Sequence, residues 1–369
     1  MFQINQFIQR KFYPQWPLEE INTIPSSSGM APLHIAAKSN NILGVIFLIR
    51  NGAEINIQTS RDLETPLHLA IEAGNKIIIK TLIQNGANVN AKEKYNSLTP
   101  LHYAICYNLI SIVRILIQNG AEIEAKDENG MTPLMSTTMF KGHEQIFKLL
   151  IKKDASLEAK DHFGRTALHF AVEEDQKLMF EHLIEKGADV NSTNDEFETP
   201  LHKAVEEGKT EIVQMLISNN ANIEAKDSEG FTPLHSAVFD NQGSIVKILL
   251  ENGADINSTD NHLKTPLHTA VEFARKEMVE ILITKRANIN AKNVFHVTPL
   301  HLAIGDIPNY IINYNPVDGL EITQMLLKCG ASLQIRNQEN NTPFEYALIK
   351  DKTKLDLIRV ILYHNHNDM

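Results

Sequence analysis

The side chains with the most chemistry to offer in this sequence are its 15 histidines. An imidazole can ligate zinc or carry a proton near neutral pH. Eight of them, His34, His68, His102, His169, His202, His235, His268 and His301, stand at one register, each three residues after the Thr or Ala that opens a segment of about thirty-three residues. A residue that recurs once per segment forms a ladder with rungs roughly one helix spacing apart, about 8–10 Å. That is too far for two rings to share a zinc at its ligand distance of roughly 2.0–2.1 Å. The ladder is structural, and neither a metal nor a cofactor is expected. His364 and His366 belong to a terminal HisAsnHisAsnAspMet that reads as a frayed tail.

Other reactive constellations are missing from the sequence. Nothing matches a nucleophile elbow GxSxG, a phosphate-cradling GxxxxGK[ST], paired CxxC or a zinc-protease HExxH. The two cysteines, Cys106 and Cys329, sit in the third and ninth segments, and six intervening helix spacings would prevent a disulfide between them. Free thiols suit a reducing compartment. No catalytic residue is expected.

The elements that position these residues follow from the recurring ThrProLeuHis, as at Thr232 to His235. Thr before Pro is a helix start: its hydroxyl is expected to accept from a first-turn amide, and Pro at the first position forfeits an N–H that has no partner there. A small Ala follows two residues after the His. About twenty residues on, a Gly stops a second apolar helix, as in AsnGlyAlaAspIleAsn from Asn252 to Asn257. Each segment therefore reads as helix, turn, helix and extended loop, and a fixed period of this length denotes stacked repeats rather than one globular core.

This unit resembles the ankyrin repeat. ThrProLeuHis, the following Ala, the apolar second helix and the GlyAla loop stand nearly unchanged at Thr65, Thr99, Thr199, Thr232, Thr265 and Thr298, with looser copies opening at Ala31, Thr132, Thr166 and Thr342. The resemblance implies an all-α ankyrin solenoid, a curved stack of about ten repeats over residues 26 to 363, with the histidine joining adjacent units. Residues 1 to 25, which include Trp16, are expected to form a capping or irregular segment, residues 340 to 363 a capping repeat, and residues 364 to 369 the tail.

Departures from the pattern mark special places. The fourth unit carries Met135 for His, Thr137 for Ala and Asp154 for the terminal Gly, and reads as a weak seam; Asn220 and Arg286 also replace that Gly. The ninth holds an insertion near residues 306 to 319, with Tyr310, Ile311, Ile312 and Tyr314, expected to project between its two helices. Asn56, Asn90, Asn191, Asn257 and Asn290 recur in the loops; the family implies that such an Asn can be hydroxylated in animal relatives, but here the residue type reads as turn-favouring.

A formal net charge of -10 argues against a phosphate-tracking surface, so nucleic acid is not an expected partner. No apolar run approaches the roughly twenty residues of a membrane span, and the N-terminus lacks the features of a secretory signal. The expected setting is cytoplasmic or otherwise intracellular. Abundant Asn, Ile and Lys suit an AT-rich genome, and for a secreted effector of an intracellular bacterium the setting would be the host cytosol.

By the family's geometry, the seventh and eighth residues after each opening Thr face the concave side. These include Tyr107, Met139, Phe140, Glu173, Glu174, Glu206, Glu207, Phe239 and Phe273, and the residue before the Thr adds Phe231. Aromatics flanking four glutamates point to a protein partner with a basic or amphipathic segment. The expected function is that of a non-catalytic, monomeric interaction scaffold; the alternative is a regulatory or substrate-recruiting subunit of a larger enzyme assembly.

Overall fold

The computed structural model describes residues 20–305 and 316–350. The expected N-terminal cap with Trp16, the insertion residues Tyr310 to Tyr314, the last helix of the capping repeat and the histidine tail lie outside the described residues. The chain divides into two compact units, Met1–Ala188 and Asp189–Met369.

In the first unit five helix pairs follow one another: α1 (Pro32–Lys38) and α2 (Ile42–Arg50); α3 (Pro66–Glu72) and α4 (Lys76–Gln84); α5 (Pro100–Cys106) and α6 (Ile110–Gln118); α7 (Pro133–Thr138) and α8 (Glu144–Lys152); α9 (Ala167–Glu173) and α10 (Lys177–Glu185). The second unit continues with α11 (Pro200–Glu206) and α12 (Thr210–Ser218); α13 (Pro233–Phe239) and α14 (Gly243–Glu251); α15 (Pro266–Glu272) and α16 (Lys276–Thr284); α17 (Pro299–Gly305) and α18 (Pro316–Lys328); and α19 (Pro343–Lys350). Among the described residues there is no strand, and the architecture is all-α. No helix among them is long and apolar enough to cross a membrane.

Helices this short are not stable alone. Each is held by its ends and by one apolar face. Thr232 holds an extended conformation (φ -86°, ψ 164°) from which Pro233 enters the helix. Within α6, Ile112, Val113 and Leu116 recur at the spacing of one helix face and are wholly buried. In α8 and α10 the Val position is filled by Phe147 and Phe180, also wholly buried.

The second helices end in a repeated backbone motif. In α2 the Ala53 N–H reaches Leu48 O at 3.0 Å and the Gly52 N–H reaches Ile49 O at 3.1 Å, a closure that requires the left-handed conformation at the intervening residue. Gly52 supplies it at φ +93°. The same closure is made by Asp154 at φ 62°, Asn220 at 66° and Arg286 at 69°, so the three substituted positions hold the backbone shape that Gly holds elsewhere.

The described residues add detail at two segment limits. Residues 20 to 25 already follow the repeat frame: Ile21 is buried, and Asn22 donates to Gly52 O at 3.2 Å while accepting from the Glu54 N–H at 2.7 Å. In the ninth repeat, Pro316 to Gly319, the last residues of the insertion, are helical. They lengthen α18 to 13 residues, and Thr323 Oγ1 donates to Gly319 O at 2.8 Å inside that helix.

Candidate partner-binding surface

Much of the histidine ladder is engaged in joining repeats, although Nε2 of His68 and of His102 is buried without a hydrogen-bond partner among the described residues. The Thr232 N–H donates to His235 Nδ1 at 3.2 Å, and the Thr232 hydroxyl lies 2.9 Å from the same nitrogen. Nδ1 is thus the acceptor and Nε2 carries the proton, which it gives to Lys264 O at 3.1 Å in the next repeat. His202 reaches Phe231 O and His268 reaches Val297 O in the same way, each at 3.1 Å; in the first unit His34 reaches Ile57 O at 3.0 Å. Burial lowers His68, His102, His235 and His268 to a pKa of about 4, so these rings are neutral. As expected, the Thr hydroxyl accepts from a first-turn amide, at 3.4 Å in Thr132, Thr199 and Thr298, and in the last two it also lies 2.9 and 2.8 Å from the ladder histidine. Among the described residues no group of three or more His, Cys, Asp or Glu is placed to hold a metal ion.

The loop asparagines do more than favour a turn. Asn56 Nδ2 donates to Gly86 O at 3.0 Å, and its Oδ1 accepts from the Asn88 N–H at 2.7 Å. Asn90 repeats both bonds with Gly120 and Glu122, and Asn290 with Gly330 and Ser332. Where Glu stands at this position the acceptor half survives: Glu124 takes the Ser156 N–H at 2.8 Å and Glu224 the Asp255 N–H at 2.7 Å.

The fourth repeat makes its join differently. Sδ of Met135 takes the Thr132 N–H at 3.4 Å, and Thr137 and Thr138, both buried, return their hydroxyls to the helix carbonyls of Leu134 and Met135. His143, off the ladder register, donates from Nε2 to Ile105 O in the preceding repeat at 2.8 Å.

In the first unit Tyr107, Met139 and Phe140 are exposed, and Phe140 packs against the His143 ring at 5.2 Å. Glu173 and Glu174 are half-buried. Arg165, just before Thr166, pairs with Asp161 at 2.9 Å and Glu173 at 3.4 Å and lies 4.4 Å over the Phe170 ring.

In the second unit Glu206 and Glu207 are exposed, and Lys203 lies 2.9 and 3.3 Å from them. Phe239 meets Phe273 edge to face at 4.6 Å, and Phe231 stacks on His235 at 5.5 Å. Beside them is a groove of about 290 Å³ lined by six carboxylates, Glu196, Glu198, Glu206, Asp227, Glu229 and Asp240, with Phe231 and Phe239. Burial raises the pKa of Asp240, and the neighbouring Glu206 charge adds to the effect against the opposing Arg275.

The structure thus brings Glu206, Phe231 and Phe239 together in one groove. Glu196, Glu198, Asp227 and Glu229 escaped the sequence reading because they come from loop tips rather than helices. Their signal was an acidic residue five, three or one before the opening Thr, as in Asp227 and Glu229 before Thr232 and Glu196 and Glu198 before Thr199.

Comparison with known families agrees with the geometry. Ankyrin repeats (3 copies) match residues 33–127, 120–194 and 179–260. Ankyrin repeats (many copies) match residues 249–303, and a single ankyrin repeat matches residues 296–338. No curated protein matches the chain. Helix pairs closed by left-handed residues, a buried histidine bonded into the next repeat and matches that run from residue 33 to residue 338 lead to one assignment: the chain belongs to the ankyrin-repeat family.

Proposed function

We propose that this protein is a non-catalytic adaptor that grips a partner protein by a segment bearing Lys or Arg, held in the acidic groove of the second unit. Ankyrin repeats are general protein–protein interaction modules, and their proteins are typically non-catalytic. The observation that carries the finer reading is the convergence of six carboxylates and two phenylalanines on one recess of about 290 Å³. Burial, with a smaller contribution from the Glu206 charge, raises the Asp240 pKa, and a guanidinium or ammonium would offset the gathered negative charge while its stem packs on Phe231 and Phe239. Lys203 already offsets Glu206 and Glu207, so the net attraction centres on the loop-tip carboxylates. Exposed, unpaired Cys106 and Cys329 support an intracellular place of action.

The test is titration of the full chain with a labelled peptide of alternating Arg and Leu, beside its Glu-for-Arg counterpart. Binding of the cationic probe that weakens about tenfold or more in Glu229→Lys/Asp240→Lys supports the groove. Equal binding of both probes, or an unchanged affinity in the variant, overturns it. Glu173→Lys/Glu174→Lys asks whether the first-unit glutamates share the task.

A further inference from the structure

The chain carries ten more acidic than basic residues, yet the second helices of its first four repeats are basic, while α10 of the fifth carries Lys177 against Glu181 and Glu185. In the second helices α2, α4, α6 and α8 the charged residues are Arg50, Lys76, Lys80, Arg114, Lys148 and Lys152, against Glu144 alone. The repeat does not demand this. The equivalent helices α12, α14 and α16 of the second unit carry Glu211, Glu251, Glu277 and Glu280 beside Lys247 and Lys276.

These cations gather at a recess. Between α6 and α8 lies a groove of about 450 Å³ with Ile110, Ile117 and Leu149 in its lining and Arg114, Lys148, Lys152 and Lys153 around them. Lys148 and Lys152 also line a second groove of about 430 Å³ toward α10, where Lys186 and His182 join them with one carboxylate, Asp154. The two lysines therefore stand on the ridge shared by the two grooves, where cations outnumber the single Asp154. Among the described residues none of Arg114, Lys148, Lys152, Lys153 and Lys186 is in an ion pair, whereas Arg165, Lys203 and Lys264 each hold a carboxylate.

Local structure does not account for the arrangement. A cation in the last helical turn stabilises the helix dipole, which explains Lys152. Arg114 and Lys148 are the middle residues of nine-residue helices, where that effect is absent. Apolar side chains recessed between exposed cations favour a chain segment that inserts a side chain, over a planar lipid surface that would meet only the cationic rim.

We propose that this outer groove of the first unit is a second docking site, taking an acidic segment of a partner protein that presents an apolar side chain to Ile110, Ile117 and Leu149 between carboxylates facing Arg114, Lys148 and Lys152. It is independent of the acidic groove of the second unit. An adaptor with one acidic and one basic groove would join partners of opposite charge.

The experiment is fluorescence anisotropy of the full-length protein with a labelled peptide of alternating Glu and Leu, with the Lys-for-Glu peptide and vesicles of mixed anionic and neutral phospholipid as comparisons. The expected result is saturable, salt-sensitive binding of the acidic probe. It should weaken about tenfold or more in Lys148→Glu/Lys152→Glu and stay within about twofold in Lys76→Glu/Lys80→Glu, whose charges lie outside the groove. Circular dichroism establishes that both variants fold; the four side chains are exposed or at the helix surface. Lack of binding by the native protein, equal loss in the two variants, or tighter association with anionic vesicles than with the peptide overturns the proposal. Loss of acidic-peptide binding with cationic-peptide binding intact would separate this site from the adaptor groove.

Discussion

His235 and Lys264 are joined across a repeat boundary by one hydrogen bond of 3.1 Å, from the imidazole Nε2 to a main-chain carbonyl. Since Nδ1 of the same ring accepts from Thr232, both nitrogens are committed in the neutral state. Protonation would set an N–H against the donors at Nδ1 and place a charge in a buried site.

Acid should therefore loosen the array well before carboxylates titrate. Burial holds His68, His102, His235 and His268 at a pKa of about 4, against an unfolded value of 6.5. Between these values the unfolded chain binds more protons, so stability is complete above pH 6.5 and falls as pH drops toward 4, by up to about 1.4 kcal/mol per pH unit for each such histidine. Thermal midpoints taken at steps across this window measure the slope. A flat profile from neutrality to pH 5 contradicts it.

Asp154 and Arg286 pay a conformational penalty that Gly avoids, at φ 62° and 69°. A Cβ at the equivalent Gly52, Gly120 or Gly253 meets nothing within 4 Å, so the penalty is one of backbone rather than space. Asp154→Gly and Arg286→Gly should each stabilise by about 1 kcal/mol. Denaturant midpoints decide this, and a loss of stability in both would show that the side chains make compensating contacts.

The Asn90 brace has two separable halves. Asn90→Ala removes both and should destabilise by about 1–2 kcal/mol. Asn90→Glu keeps an acceptor for the Glu122 N–H, as Glu124 does for Ser156, and should be milder. Hydrogen exchange at the Glu122 amide should rise in the first variant more than in the second; equal rates would remove the acceptor from the account.

Gly305 leaves room for a ring. A Cβ there would overlap the Tyr346 side chain, which is buried between α17 and α19. Gly305→Ala should destabilise by about 1–3 kcal/mol, and Tyr346→Ala should make it nearly neutral in a double-mutant cycle. Additive losses would argue that the two positions do not meet.

How far the sequence carried is visible in particular residues. The period placed Thr232, Pro233 and His235 at a helix start, and spacing marked Asp154, Asn220 and Arg286 as left-handed, because both depend on local geometry. The Asn56 bonds to Gly86 and Asn88 join residues 30 and 32 positions apart, and no local rule announces such a partner. Lys203 beside Glu206 and Glu207 was readable as a helical spacing, yet attention to the acidic pair alone missed it. The cations from Arg50 to Lys152 were hidden in a negative total, since a sum over the chain says nothing of where charges gather.

The ladder histidine and the loop asparagine share one property: each addresses main-chain atoms of the following repeat, such as Lys264 O, Gly86 O and the Asn88 amide, rather than a particular side chain. At these hydrogen-bonded joints a successor is thus recognised by its backbone, beside the apolar packing that every repeat shares. A gene copying error that inserted or deleted one whole period would find its joints already made, and the array could grow, shrink or be spliced from pieces without inventing a new interface.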